Sequence, residues 1–285
     1  MKLNEVLTKS IQFFKDKKIE TARLDAEILI SHALKIPRIQ LYVKYDQPLD
    51  ENEITACREL VRRRSLGEPV AYITEEKGFY GLNFKVRSGV LIPRPETELI
   101  IDEVLADHKK KSATDTVRVL DLGSGTGCIG LSIIKNIANS ELVTIERSPT
   151  AFEILSENIK SLELTDKVQA VHSDVLKADI TSFSQFDYIV SNPPYIDQND
   201  KETEQFVKKY EPHEALFSPD QGLSDIKSWA RHYSHLVKPN GLILFEMGYQ
   251  QGSVVKIYFE NLQKFKSVDV IKDLSGLDRI IKARA

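Results

Sequence analysis

The chain has 285 residues, 41% of them hydrophobic and 28% charged, with a formal net charge of −3. This is ordinary globular composition, long enough for one large domain or two smaller ones around a sizeable core. It argues against an extended phosphate-binding surface while leaving room for a local patch, so no stable association with nucleic acid is expected.

No apolar run approaches the roughly 18 to 20 residues that span a bilayer, so no membrane partner is expected. Met1-Lys2-Leu3-Asn4-Glu5 lacks the apolar stretch of a signal peptide, and the expected compartment is the cytoplasm. Cys57 and Cys128 lie far apart without metal-ligand spacing, which predicts neither a disulfide nor a metal site.

The first 72 residues read as helical. Leu3, Val6, Leu7, Ile11 and Phe14 recur at three- and four-residue steps, as do Leu24, Ile28, Leu29 and Leu34. Pro37 closes the second helix, and Asp50 with Glu53 has the spacing of a capping box for another, which runs to Arg64. A small helical bundle over 1–72 is predicted.

The texture changes over 73–93. Ile73 to Phe79, Tyr80-Gly81-Leu82-Asn83 and Phe84 to Val86 predict a linking β-hairpin. Leu91-Ile92-Pro93-Arg94-Pro95 cannot be helical, because each proline restricts the residue before it, whereas Pro95 suits the first turn of a helix through Thr97, Ile100 and Val104.

From Val117, strands and helices alternate, which predicts an α/β domain over 94–285 with a mostly parallel, Rossmann-like sheet. The predicted strands are Val117–Leu122, Leu142–Ile145, Val168–His172, Tyr188–Ser191 and Leu242–Glu246, with helices at Gly127–Ala138 and Pro149–Leu162. Val268–Lys272 and Arg279–Lys282 flank a short turn and are expected to pair antiparallel.

Two loops carry the chemistry. Asp121-Leu122-Gly123-Ser124-Gly125-Thr126-Gly127 runs from a strand into a helix, and its glycines let backbone lie against a ligand at a helix N-terminus. Gly125-x-Gly127-x-x-Gly130 also satisfies a dinucleotide fingerprint, and Glu146, placed to accept ribose hydroxyls, suits NAD and S-adenosyl-L-methionine alike. Asp121 tips the choice to the second: its carboxylate would repel a pyrophosphate but suits an ammonium and a sulfonium. Asp174 and Val175, after the third strand, are candidates to contact adenine, with a turn-capping role for Asp174 as the alternative.

Asn192-Pro193-Pro194-Tyr195 leaves the fourth strand. The prolines fix φ and donate no amide hydrogens, Asn192 offers a side-chain carbonyl and Tyr195 a flat ring, a receptor for a planar group bearing NH₂. Asn192, Pro193, Pro194 and Tyr195 are therefore the expected catalytic and substrate-binding residues. Asp121, Gly123, Ser124, Gly125, Thr126, Gly127, Glu146, Asp174, Val175 and Asn192 are expected at the cofactor. Cys128 and Trp229 are expected in the core, and His213 in a structural role.

Together with Gly67-Glu68-Pro69-Val70-Ala71-Tyr72-Ile73, Leu91-Ile92-Pro93-Arg94-Pro95-Glu96-Thr97-Glu98 and Tyr210-Glu211-Pro212-His213-Glu214-Ala215-Leu216, these loops give a chain that resembles the release-factor glutamine methyltransferases, the HemK/PrmC family, over essentially its whole length. The resemblance implies a class I methyltransferase fold and transfer of a methyl group to the glutamine of the Gly-Gly-Gln loop in class I peptide chain release factors, with S-adenosyl-L-homocysteine as product. It also implies that Asn192 and the backbone at Pro193 hold the glutamine amide while Tyr195 packs on it, and that the Arg94–Glu98 segment lies near the active site. Glu146 where Asp is common, and Val175 where an aromatic residue is frequent, depart from the family pattern. A ribosomal-protein glutamine methyltransferase, a nucleic-acid adenine methyltransferase and a degenerate, non-catalytic binding module are the competing readings.

Overall fold

The computed structural model describes residues 1–111, 115–200 and 205–285. In chain order its elements are α1 (Leu3–Asp16), α2 (Ala22–Ala33), α3 (Gln40–Val43), α4 (Glu51–Ser65), α5 (Val70–Thr74), β1 (Glu76–Phe79), β2 (Leu82–Lys85), α6 (Glu98–His108), β3 (Val117–Leu122), α7 (Cys128–Asn136), β4 (Ser140–Glu146), α8 (Pro149–Ser161), β5 (Val168–His172) and β6 (Phe186–Ser191). They continue as β7 (Ile196–Asp197), α9 (Gln205–Tyr210), α10 (His213–Leu216), β8 (Phe217–Ser218), α11 (Pro219–Gly222), α12 (Ser224–Tyr233), β9 (Val237–Glu246), α13 (Gly252–Asn261), β10 (Ser267–Lys272) and β11 (Asp278–Arg284). They form two compact units, Met1–Glu76 with Gln205–Tyr210, and the remainder.

The first unit is helical. Leu3, Leu7 and Phe14 of α1 meet Ala26, Leu29 and Ile30 of α2, Leu41 of α3 and Cys57 of α4 in one apolar core, the stripe that the three- and four-residue spacing generates on each helix. Helix α4 starts on the capping box: Asp50 Oδ1 accepts from Glu53 N (2.8 Å), and a Glu53 carboxylate oxygen accepts from Asp50 N (2.9 Å). Its basic end is neutralised within the unit, Arg62 by Glu59, Arg63 by Glu68 and Arg64 by Asp25.

One predicted strand is partly helical. Val70–Thr74 forms α5, with Pro69 as its N-cap, and the strand begins only at Glu76. Val70, Ile73 and Thr74 favour strands by β-branching, but Pro69 is preset for entry into a helical turn, and helix burial of Tyr72 and Ile73 overrides the local preference.

The second unit holds a seven-stranded sheet in the order β10-β11-β9-β6-β3-β4-β5. Strands β5, β4, β3, β6 and β9 run parallel, and β11 and β10 add antiparallel at one edge, as the sequence predicts for the last two segments. One face packs Leu120, Leu122, Phe186, Ile189 and Phe245 against α12 and α13, and the other packs Val119, Tyr188, Val190 and Leu244 against α6 and α7. Chain order runs outward from β3 in one direction through β4 and β5, and in the other through β6 and β9. The sheet therefore switches direction beside β3, the position at which open α/β sheets bind ligands.

Asn158 of α8 stitches the hairpin to the loop after β3. Its side chain accepts from Lys85 N (2.7 Å) and donates to Lys85 O (3.1 Å) and Thr126 O (3.0 Å), and it is fully buried.

Candidate active site

Strand register decides which loops meet. Leu122 lies opposite Ile145 on one side and Ser191 on the other, and Ser191 lies opposite Phe245. The residues that follow these, Gly123, Glu146, Asn192 and Glu246, therefore emerge side by side at the carboxyl edge of the sheet. Ser191 reinforces the alignment by donating its hydroxyl to Leu122 O at 2.7 Å.

A cleft opens above this edge. It is lined by Gly123 to Thr126, Glu146, Asp174, Val175, Asn192 and Pro194, and also by residues between Gly89 and Thr97, by Ser148 and Ala151, by Glu214 and Ala215, and by Trp229. Of the other sequence-selected residues, Asp121, Gly127, Pro193 and Tyr195 do not line it. Gly123, Gly125 and Gly127 all have positive φ. At Gly123 the requirement is double, because a Cβ there would stand 2.8 Å from the Trp229 ring. Trp229 is thus both core and cleft wall, a role the sequence reading missed because nothing in its local spacing marks it.

The carboxylates around the glycine loop differ in their company. Glu146 accepts from Gly125 N (2.8 Å) and Ser148 N (2.7 Å), which braces the glycine loop, while burial raises its pKa above the ordinary value. Asp121 is deeper. One carboxylate oxygen accepts from Gly130 N at 3.0 Å, while Oδ1 is buried without a partner among the described residues, as is Ser124 Oγ. Burial, with a smaller push from nearby Glu146 and against the Gly130 hydrogen bond, lifts the Asp121 carboxyl up to about 7. A buried acceptor that lacks a donor fits a ligand with a cationic, hydrogen-bonding end. Asp174 does two things at once: it lines the cleft and caps its own turn by accepting from Leu176 N at 2.9 Å. Cys128 is buried, and its thiol is pushed up to about 12, which makes it packing rather than a nucleophile.

The Asn192–Tyr195 side is organised by a residue that sequence alone did not single out. Glu246, 1% exposed at the end of β9, accepts from Thr97 Oγ1 at 2.6 Å and from Tyr195 Oη at 3.0 Å. Thr97 Oγ1 in turn accepts from Asn192 Nδ2 at 3.3 Å. Burial raises the Glu246 carboxyl, and the two hydroxyls and Arg279 oppose the rise. The Tyr195 phenol is driven well above its ordinary range by burial and by the adjacent Glu246. Tyr195 O accepts from Gln251 Nε2 at 2.9 Å, and β7 pairs with β8 just beyond, so the loop is held from several directions. Gly222 lies so close that a Cβ would stand 2.0 Å from Tyr195 O. The Arg94 segment is fastened by Glu211, buried, which accepts from Ile92 N at 3.1 Å and pairs with Arg94. His213 packs edge-on against Phe217.

Among the described residues, no cluster of His, Cys, Asp and Glu could hold a metal ion, and no helix is long and apolar enough to cross a membrane. Residues 5–74 match the family model described as the PrmC N-terminal domain, and residues 98–212 match the methyltransferase small domain. The chain is 36% identical to a release factor glutamine methyltransferase of Clostridium botulinum, covering 100% of this chain and 99% of that one. It is 38% identical to one from Leptospira interrogans, covering 97% and 96%, and 36% identical to one from Rhodopirellula baltica, covering 94% and 91%. Among solved structures, the hMettl16 catalytic domain superposes with a TM-score of 0.57 at 14% identity, covering 79% of this chain and 80% of that one. A Pyrococcus furiosus methyltransferase does so with 0.50 at 16%, covering 78% and 96%, and at such identities the likeness is one of fold. The sheet order, the paired loops at its switch point and relatives matched from end to end converge: the chain belongs to the release factor glutamine methyltransferase family.

Proposed function

We propose that this protein transfers a methyl group from S-adenosyl-L-methionine to the side-chain amide nitrogen of the glutamine in the Gly-Gly-Gln motif of class I peptide chain release factors. The observation that carries the reading is the Asn192 amide at the cleft. Its NH₂ is engaged by Thr97, which leaves Oδ1 to accept from a substrate NH₂. When bound, the cofactor supplies an electrophilic methyl on a sulfonium. Asp121, the Gly123–Gly127 loop, Glu146, Asp174 and Val175 are the residues proposed to hold it.

The chain's own contribution is positioning and electrostatics. An amide nitrogen is a poor nucleophile because its lone pair is delocalised into the carbonyl. Acceptors on its N–H bonds fix the nitrogen, turn its face toward the methyl and stabilise the positive charge that grows on it. Asn192 Oδ1 supplies one acceptor and the backbone carbonyl at Pro193 is proposed as the other, with Tyr195 beside the substrate amide. The two prolines keep this loop from rearranging as charge develops.

The domains are proposed as helical substrate recognition over 1–72, linking hairpin over 73–93 and catalysis over 94–285. A cytoplasmic protein without stable nucleic-acid binding is proposed with them. The acidic net charge supports this, as does the pairing of each guanidinium in the Arg62–Arg64 run with a carboxylate. Purified enzyme with methyl-labelled cofactor should label a release factor at its Gly-Gly-Gln glutamine. Label on ribosomal protein or DNA, with none on the factor, would overturn the substrate assignment.

A further inference from the structure

An asparagine amide is nearly symmetric in shape but opposite in polarity at its two ends. If Asn192 presented its NH₂ to a substrate amide, donor would face donor and the hydrogen bond would be lost. Something must therefore set which end faces the cleft, and the prolines that follow Asn192 cannot do so.

The chain of hydrogen bonds behind Asn192 has one direction. Glu246 lies at the buried end, and its side-chain oxygens accept from both Thr97 Oγ1 and Tyr195 Oη. A threonine hydroxyl has a single proton, and in Thr97 that proton is committed to Glu246. Toward Asn192 the same oxygen can only accept, and it accepts from Nδ2. Thr97 is 2% exposed, so water does not compete for the position. Thr97 and Glu246 are 149 residues apart in sequence and meet only because α6 begins over the carboxyl end of β9.

We propose that Thr97 and Glu246 are positioning residues for the methyl transfer. In this role Glu246 orients the Thr97 hydroxyl, and Thr97 locks Asn192 with its oxygen toward the substrate nitrogen. The second bond from Glu246, to Tyr195, ties the other end of the Asn192–Tyr195 loop to the same carboxylate, so one buried group sets both the polarity and the place of the receptor. The inference rests on Asn192 receiving a primary amide, as in the function above.

The test replaces Thr97 in the full-length enzyme and reads transfer to release factor, binding of S-adenosylhomocysteine by calorimetry, and the side-chain NH₂ signals of Asn192 in ¹⁵N-asparagine-labelled protein. Thr97→Val keeps the shape and removes the hydroxyl. It should lower kcat about 10- to 100-fold, the range typical when an orienting partner is removed. KM for the release factor and affinity for S-adenosylhomocysteine should stay within about threefold, an allowance of under 1 kcal/mol. The Asn192 NH₂ should lose its one exchange-protected proton. Thr97→Ser restores the hydroxyl and should restore kcat to within about threefold of wild type. Tyr195→Phe cuts the other branch and should leave the protected Asn192 proton in place.

A Thr97→Val enzyme with wild-type kcat overturns the relay, and so does a Thr97→Ser enzyme as slow as the valine variant. Should the valine variant not fold, the serine variant and the Asn192 signals of Tyr195→Phe still decide the case. A wild-type enzyme that leaves the release factor unlabelled overturns the substrate assignment instead. The relay is then judged on the Asn192 signals alone, and an unchanged spectrum in Thr97→Val overturns it.

Discussion

The two sides of the cleft are built on opposite plans. On the proposed cofactor side, Asp121 Oδ1 and Ser124 Oγ are buried without partners among the described residues, and the Asp121 carboxyl is lifted far from its ordinary range. On the acceptor side, Thr97, Tyr195 and Glu246 are joined in one hydrogen-bonded chain that ends on Asn192. The cofactor side has electrostatic demand that a cationic ligand would meet, whereas the acceptor side has met its own demand and is rigid in advance. Binding energy should therefore depend most on the first side, and turnover most on the second.

Asn192→Ala tests the second side most severely. It should reduce turnover about 100- to 1000-fold, as loss of one preorganised group does elsewhere. The melting temperature should move by only a few degrees, because Asn192 is half-buried and its side chain makes one hydrogen bond among the described residues. A loss confined to cofactor affinity would break the division between the two sides.

Asp121→Asn tests the first side. Removing the charge proposed to attract the cofactor's ammonium should weaken affinity for S-adenosylhomocysteine by about 30-fold or more, measured by calorimetry, the low end for truncating a buried charge pair. A pH series sharpens the point. Asp121 titrates at about 7 in the folded chain against an ordinary 3.8, so its raised value favours the folded state at low pH, and that contribution is lost as pH rises through about 7. Cofactor binding should have the reverse sign, because the proposed attraction to the ammonium needs the ionised form. Affinity should fall about tenfold between pH 8 and pH 6, and the asparagine variant should flatten that dependence. Glu146, the charged neighbour that adds to the shift, is itself raised by burial, and the Glu146→Gln variant separates its share.

Glu211→Ala should have the smallest effect on chemistry. It leaves Ile92 N without its acceptor and Arg94 without its buried partner, a cost of about 1–3 kcal/mol. Thermal unfolding should show it as a loss of roughly 2–4 °C per kcal/mol, with cofactor affinity nearly unchanged. A large drop in affinity would assign the Arg94 segment to the cofactor side.

Local chemistry made much of this legible in the sequence. The alternation from Val117 marked the parallel sheet, the glycines after Asp121 marked the loop at its switch point, and Asn192-Pro193-Pro194-Tyr195 stood out because two prolines rarely end a strand by chance. Glu246 did not stand out: in the sequence it is only the last residue of an apolar strand, and its partners Thr97 and Tyr195 lie 149 and 51 residues away. Trp229 escaped for the same reason, since its meeting with Gly123 is made by the packing of α12 on the sheet. The α5 segment misled differently, because β-branched residues there suggested a strand and a proline start with burial made a helix. Short-range patterns carry elements and loops, while the pairing of distant polar groups appears only once the sheet has set the register.

Asn158 has a mechanical consequence. It grips both backbone groups of Lys85 at the end of β2 and, with the same amide nitrogen, the carbonyl of Thr126 in the glycine loop. Arg87 and Lys85 add ion pairs to Glu157 beside it. Tension applied to the hairpin would therefore reach the glycine turn through one buried amide, by a route that does not run along the strands of the seven-stranded sheet.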